Sequence, residues 1–420
     1  MLTLSGMIVD NVGEDYINTY LKNKKYVRME AQEGKAVEYW VNDLIGQESF
    51  DLEDFEKFLF EELFWGKRKS IRFYRLDTVY KLKNKEDWID KLREKYNVGS
   101  LDFTNIMRTI PSSENGWHIA AISSNIDRKG NLERIDILFV ACAEVFEDRQ
   151  IKSTVAYYPV EIDLKRKRMV IKGWNRQGLC EGYKLEERLD NIVKILSLSF
   201  GVKTQSFMAK HKMTLHNMSK GVVTEIYNKI PSYNQIGNLE NPILVFQQEV
   251  LKELSLQNVE RQEKEISLGK NIFDFEDEVK KILEKLCISD YFYDIPYEEV
   301  WNMGVKTIVS KIKFKDLEHV LTILSSEASE APIFCTKTFL SLKKSLEDAK
   351  LVERLWIEHD RSRGRLKVSY DATKEEYLEM KILSNIRFTE TDLLTAEEIY
   401  NSYARNTVEE VKSGDQRYAV

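Results

Sequence analysis

The pattern of apolar and polar positions changes period several times along the chain, and each change predicts an element. AVEYWVNDLIG (36–46) and DLEDFEKFLFEELFW (51–65) repeat at helical spacing. In the second, Phe55, Phe58, Leu59 and Leu63 share one face, and Asp51 is placed to cap the N-terminus. SIRFYRL (70–76) switches to strand period, and KEDWIDKLREKYN (85–97) returns to helix with a stop near Asn97 and Gly99. From Gly116, four runs follow: GWHIAAISSNI, ERIDILFVACAEVF, STVAYYPVEIDL and KRMVIKGW. Only short polar breaks such as DRKGN and EDRQ separate them. That spacing leaves no room for crossover helices and predicts an antiparallel meander.

After Gly182 the pattern turns helical, from YKLEERLDNIVKILSLSF through Thr224 with a break near Gly201. PSYNQIGNLENP (231–242) predicts a loop and Ile243–Ser255 a helix. NVERQEKEISLGKN predicts a helical extension or an exposed connector. FEDEVKKILEKL, EEVWNMGVKTIVSKI, LEHVLTILSSE and TKTFLSLKKSLEDAKL predict further helices, the last with Phe339, Leu342 and Leu346 at core spacing. LVERLWIEHD and RLKVSYD then predict two strands joined by RSRG. The expected fold class is α+β in three parts. These are a mixed domain with an antiparallel sheet and helices (1–182), a helical region (183–300) and a C-terminal domain (301–420).

The stretch LKKSLEDAKLVERLWIEHDRSRGRLKVSYDATKEE resembles the recognition helix and wing of MarR-type winged-helix domains. In that family a leucine-bearing helix leads through a GL-x-R step into a hairpin with Asp and Arg at its tip. The resemblance is confined to residues 316–370 and implies a winged-helix-like module there. It implies that Lys343 and Lys344 lie on a recognition helix, and Asp360, Arg361, Arg363 and Arg365 on the wing, all available to nucleic acid. Two departures stand out. Lys350 occupies the position where the family has glycine, and SSEASEAPIFC leaves little room for the helix that precedes recognition.

Charge sharpens this picture. The chain carries a net −6, which argues against a simple coating of nucleic acid. Residues 251–300 alone hold thirteen acidic and seven basic side chains, so that segment carries the whole excess. Elsewhere lie acid-free basic windows: GKRKSIRFYR (66–75) with five basic residues, and 191–224 with five lysines. The N-terminus lacks the features of a secretory signal, and the apolar run IDILFVACAEVF is too short to cross a bilayer. Four cysteines without C-x-x-C spacing favour a reducing, cytoplasmic setting over a disulfide framework or zinc site.

The candidate chemistry centres on VEIDLKRKRMVIKGWNRQG (160–178), which holds six basic residues between Lys165 and Arg176. Read as a hairpin, it places Lys165, Arg166, Lys167 and Arg168 at a turn able to touch phosphate. Read as chemistry, Asp163-x-Lys165 has the form of half a PD-(D/E)xK nuclease site. Asp136 would be the upstream acid, with Asp148 as a substitute, and Mg²⁺ or Mn²⁺ the metal. His211 and His216, five apart, suit a solvated helix better than a metal pair. RKSIRFYR and IKGWNR set aromatic rings beside cations, which serves either base stacking or the sheet's own core. No nucleotide-binding or common hydrolase motif occurs.

The reading that follows is a cytoplasmic, non-enzymatic binding subunit without a cofactor or membrane contact. It would touch DNA or RNA, or a nucleic-acid-processing complex with a partner protein, through Lys165–Arg168, Lys343, Lys344, Arg361, Arg363 and Arg365. Two alternatives stand beside it: a metal-dependent nuclease built on Asp136, Asp163 and Lys165, and a protein–protein scaffold such as one in a phage-defence system.

Overall fold

The four period-two runs pair antiparallel, each with the next, in a computed structural model of the chain. The structure describes residues 2–28, 34–77, 84–111, 116–255, 274–293, 295–296, 298–316, 319–326, 332–385 and 387–414. Two compact units divide the chain: Met1–His211 with Val368–Ser402, and Lys212–Lys367 with Tyr403–Val420.

The first unit opens with α1 (Gly6–Val12), α2 (Glu14–Asn23), α3 (Val37–Ile45) and α4 (Leu52–Phe64). The Asp51 side chain caps α4 by accepting the Asp54 N–H at 2.9 Å. Then come β1 (Ser70–Leu76), α5 (Lys85–Tyr96), β2 (Phe103–Thr104), β3 (Trp117–Ile126), β4 (Leu132–Glu147), β5 (Gln150–Asp163), β6 (Arg168–Gly173), α6 (Leu185–Phe200) and β7 (Thr204–Gln205). α5 ends at Asn97, in the left-handed region, as its sequence predicts.

The second unit begins near the start of α7 (Lys210–Tyr227) and holds α8 (Pro231–Asn234), α9 (Glu240–Glu253), α10 (Phe275–Tyr291) and α11 (Glu299–Asn302). β8 (Thr307–Lys315), β9 (Leu321–Ser325), α12 (Lys337–Ala349) and β10 (Val352–His359) follow. The chain returns to the first unit within β11 (Leu366–Asp371), and continues through β12 (Leu378–Ile382) into α13 (Glu390–Gly414). The class is α+β, and every strand pair described is antiparallel. No described helix is long and apolar enough to cross a membrane.

Within the first unit the strands run in the order β2-β3-β4-β5-β6-β1-β12-β11, with β7 on the end of β1. Both faces of the central strands are covered, which is why they read as almost continuous apolar runs. Ile135, Ile137, Phe139, Tyr158, Val160, Ile162, Met169 and Ile171 pack with Trp88, Leu92, Leu189, Ile192 and Phe200 of α5 and α6. Gly173 permits the close approach of α6, because a Cβ there would overlap Leu185. On the opposite face Leu138, Val140, Val155 and Tyr157 pack with the apolar sides of α1–α4.

Two predicted helices are strands. In EEVWNMGVKTIVSKI only α11 is helical; Gly304, at φ 76°, ends it, and the rest is β8. LEHVLTILSSE supplies β9. Short apolar runs satisfy both periods, and here pairing decides: Val309 opposes Ile357, Ile312 opposes Leu355, and β9 adds onto β8. The strand order in this unit is β10-β8-β9. The predicted loop 231–242 also departs from expectation. It forms α8, with Pro231 at its first position, and a 3₁₀ turn at Ile236–Leu239 before α9 begins. NVERQEKEISLGKN lies outside the described residues.

Candidate functional site

Residues directly opposed in antiparallel strands share a face of the sheet. The register therefore sets Arg134, Asp163, Arg168 and Arg75 in one row across β4, β5, β6 and β1. The neighbouring row is Asp136, Glu161, Val170 and Phe73. Further along this face most side chains are apolar and meet the N-terminal helices. At these rows most are charged, and α13 adds further carboxylates to those of the sheet.

Arg134 reaches three carboxylates: Asp136 at 2.9 Å, Glu161 at 3.3 Å and Glu390 at 2.7 Å. Arg168 lies 2.5 Å from Glu161 and 3.8 Å from Asp163, and pairs with Glu397. Glu390 and Glu397 stand seven residues apart, two turns along one side of α13, so a single helix closes both arginines. Burial raises the Asp136 carboxyl to about 6, against the pull of Arg134 and with a push from Glu161. Lys172, fully buried on the same face, has its ammonium 3.7 Å from the centre of the Phe64 ring and 3.2 Å from that of Trp65. Burial holds its pKa well below that of an ordinary lysine. Such a buried network is costly to desolvate, and its geometry fixes how α13 registers on the sheet.

At the turn end of these rows a cleft of about 530 Å³ opens. Arg75, Arg166 and Lys167 are exposed along it, Phe73, Phe207 and Leu394 are half-buried in its lining, and the Arg168–Glu397 pair also borders it. The exposed Glu398 shares this lining. The turn between β5 and β6 is held from both sides. Asp163 accepts the Arg166 N–H at 2.8 Å, and the Lys167 carbonyl accepts the Leu76 N–H at 2.9 Å. Lys167 takes a left-handed conformation, φ 53°, to close it. Arg166 keeps a loose 3.7 Å contact with Asp163, whereas Arg75 and Lys167 have no carboxylate partner among the described residues.

The residues predicted from sequence are distributed differently from one another. Lys165 points away from the rows and pairs with Glu133 at 3.0 Å. Arg168 belongs to the interior rather than the turn surface, because its side chain turns in to Glu161 and to Glu397 of α13. Asp136 and Asp163 share the face, but Lys165 does not join them, and both acids are engaged by arginines. Among the described residues no group of three or more His, Cys, Asp or Glu side chains is placed to hold a metal ion.

In the second unit, Lys343 and Lys344 of α12 pair with Glu284 and Glu278 of α10 at 2.6 and 2.7 Å. These pairs hold two helices side by side. β10 and β11 flank the predicted basic tip, where Arg361 Nε donates to the Gly364 carbonyl, Arg363 is exposed and Arg365 stacks over Trp301. Lys350 sits in the left-handed region at φ 52°, the conformation that a glycine there would take without strain.

The histidine expectation is corrected. His211 and His216 are both buried, and His211 Nδ1 lies 2.5 Å from the Tyr400 hydroxyl. Of the cleft residues, Phe73, Arg75 and Phe207, like Leu394 and Glu398, escaped the sequence reading as individuals. The signals available were the acid-free windows 66–75 and 191–224, which contain Phe73, Arg75 and Phe207. No protein-family model and no curated protein matches this chain.

Proposed function

We propose that this protein is a non-enzymatic binding subunit that holds single-stranded nucleic acid at the cleft beside the β5–β6 turn. The carrying observation is the grouping of three exposed cations, Arg75, Arg166 and Lys167, around the rings of Phe73 and Phe207. Phosphates take the cations, and a base takes the face of a ring, which is the division of labour that single strands use. Duplex suits the cleft less well, since its bases are already stacked and only its phosphates would be read. Among the described residues, no carboxylate pairs with Arg75 or Lys167, which leaves their charge available to a ligand.

Fluorescence anisotropy with a labelled single-stranded 20-mer of DNA and of RNA tests this. Arg75→Glu and Lys167→Glu are each expected to weaken binding at least tenfold and to lower the salt slope by about one unit per lost phosphate contact. Phe207→Ala is expected to cost about 1–3 kcal/mol of stacking. Lys343→Glu, far along the chain and paired in the native state, is expected to change little. Equal affinities for wild type and both charge reversals would overturn the reading.

A further inference from the structure

The strand pairing of the second unit ends at β9, whose outer side meets no other strand among the described residues. The backbone bonds fix which residues face outward. At the two ends of the β8–β9 ladder, Asp316 N–H donates to the Val320 carbonyl at 3.2 Å and Ser326 N–H to the Ser310 carbonyl at 3.5 Å. Even-numbered residues of β9 therefore bond inward to β8, and Leu321, Ile323 and Ser325 turn their N–H and C=O groups to the open edge. The side chains of Leu321 and Ile323 are exposed as well, at 48% and 54%. Natural sheets guard such edges with charge, proline or a bulge. LTILS has neither charge nor proline, and it pairs with β8 without a break in register.

The adjoining strand gives this edge a positive face. Lys311, Lys313 and Lys315 lie directly opposite Ser325, Ile323 and Leu321, so all six side chains share one face of the sheet. β10 continues it, with Arg354 and Trp356 opposite Lys313 and Lys311. Lys313 and Lys315 share one carboxylate, that of Glu353, at 3.2 and 3.6 Å, and the charge of Lys212 acts on it too. Lys311 instead lies over the Trp356 ring, 5.1 Å from its centre. Among the described residues, one acid thus serves the whole lysine row.

We propose that β9 is a docking strand for an extended acidic segment of a partner protein, which adds to its open edge as one more antiparallel strand. Residues of the added strand opposite Leu321, Ile323 and Ser325 exchange backbone hydrogen bonds with them, and their side chains fall on the lysine face. Apolar side chains there cover Leu321 and Ile323. A carboxylate on the same face looks toward the lysine row two strand spacings away, about 10 Å, which a glutamate and a lysine side chain together span. A second copy of this chain fits less well, because β9 against β9 sets two lysine rows on one face and β9 brings no acid to match them. Single-stranded nucleic acid would engage the lysines and Trp356 but leave the apolar rim of Leu321 and Ile323 uncovered.

Fluorescence anisotropy of the full chain with a labelled ten-residue peptide tests this. The peptide alternates threonine with valine and glutamate by turns, and a control carries lysine for glutamate. The glutamate peptide is expected to bind saturably, about tenfold tighter than the control, and to lose about tenfold with Lys313→Glu/Lys315→Glu. Ile323→Pro removes an outward N–H and no bond to β8, so it is expected to abolish binding and leave the thermal midpoint nearly unchanged. Should that variant fail to fold, N-methylated peptides decide on the wild type. Methylating the valine and glutamate nitrogens is expected to abolish binding, and methylating the threonine nitrogens to spare it. Absence of saturable binding, or the same affinity for both methylated peptides, would overturn the proposal. So would oligonucleotide affinity that is lost in Lys313→Glu/Lys315→Glu, which gives the face to nucleic acid, or a dimer that Ile323→Pro dissociates, which gives the edge to a second copy.

Discussion

Arg75 and Arg168 face each other directly across β1 and β6, and only Arg168 is neutralised. Like charges opposed on neighbouring strands destabilise a sheet. Here the cost is limited because Arg168 turns inward to Glu161 and Glu397 while Arg75 remains exposed at the cleft. Among the described residues, Arg75 is left without a carboxylate beside the end of a buried ion network, which marks this cleft as a place for an anionic ligand.

Glu398 opposes phosphate binding at the same cleft. If the cleft takes a polyanion, Glu398→Gln removes a repulsion at its lining without touching the core. Affinity for a single-stranded oligonucleotide is expected to rise several-fold at low salt, and the gain to shrink as salt screens it. Anisotropy titrations at two ionic strengths check this.

Asp163→Asn separates the binding and nuclease readings. Asp163 accepts the Arg166 backbone N–H at 2.8 Å and lies 3.8 Å from Arg168, which gives it a structural task at the turn. The substitution is expected to cost about 1–3 kcal/mol of stability, read from the urea midpoint. Single-strand affinity should fall only modestly, with no Mg²⁺- or Mn²⁺-dependent cleavage in wild type for it to abolish. Metal-dependent cleavage lost in this variant would establish the nuclease instead.

His211 gives the fold an acid-side weakness. Burial lowers its pKa from 6.5 to about 3, and its ring centre is 3.8 Å from that of Phe207. Between pH 6.5 and 3 the unfolded chain binds this proton and the folded chain does not. The stability contributed is therefore full above pH 6.5 and is lost as pH falls toward 3. His211→Gln is expected to flatten that limb by about 1.4 kcal/mol per pH unit over the interval, measured by urea unfolding from pH 4 to 7.

Lys350 holds a left-handed backbone conformation that favours glycine. It holds φ 52° at the end of α12, where a side chain costs energy and glycine does not. Lys350→Gly is expected to stabilise the protein by up to about 1 kcal/mol, seen as a higher thermal midpoint. A lower midpoint would show that the lysine makes a contact worth more than the strain.

The meander was legible because strand period, short polar breaks and β-branched residues all agreed from Trp117 to Gly173. α4, α5 and α12 were legible for the same reason at helical period, with Asp51 and Asn97 marking their ends. β8 and β9 were not, since runs such as VKTIVSKI and LTILS fit either period until a neighbouring strand claims them. Charge was legible as composition but not as direction. Lys165, Arg166, Lys167 and Arg168 are four consecutive basic residues, yet Lys165 pairs with Glu133, Arg168 is buried, and Arg166 and Lys167 border the cleft.

By itself, then, the order of residues determined the α+β class, the antiparallel meander, the better-patterned helices and the existence of acid-free basic windows. Only tertiary structure decided which of those cations meet carboxylates and which meet solvent. The reason is geometric: pairing register and the placement of α13 bring Glu390 and Glu397 to arginines more than two hundred residues earlier in the chain. Local pattern carries no information about such long-range partners. A charge left over for function can be recognised only after the fold has satisfied the rest.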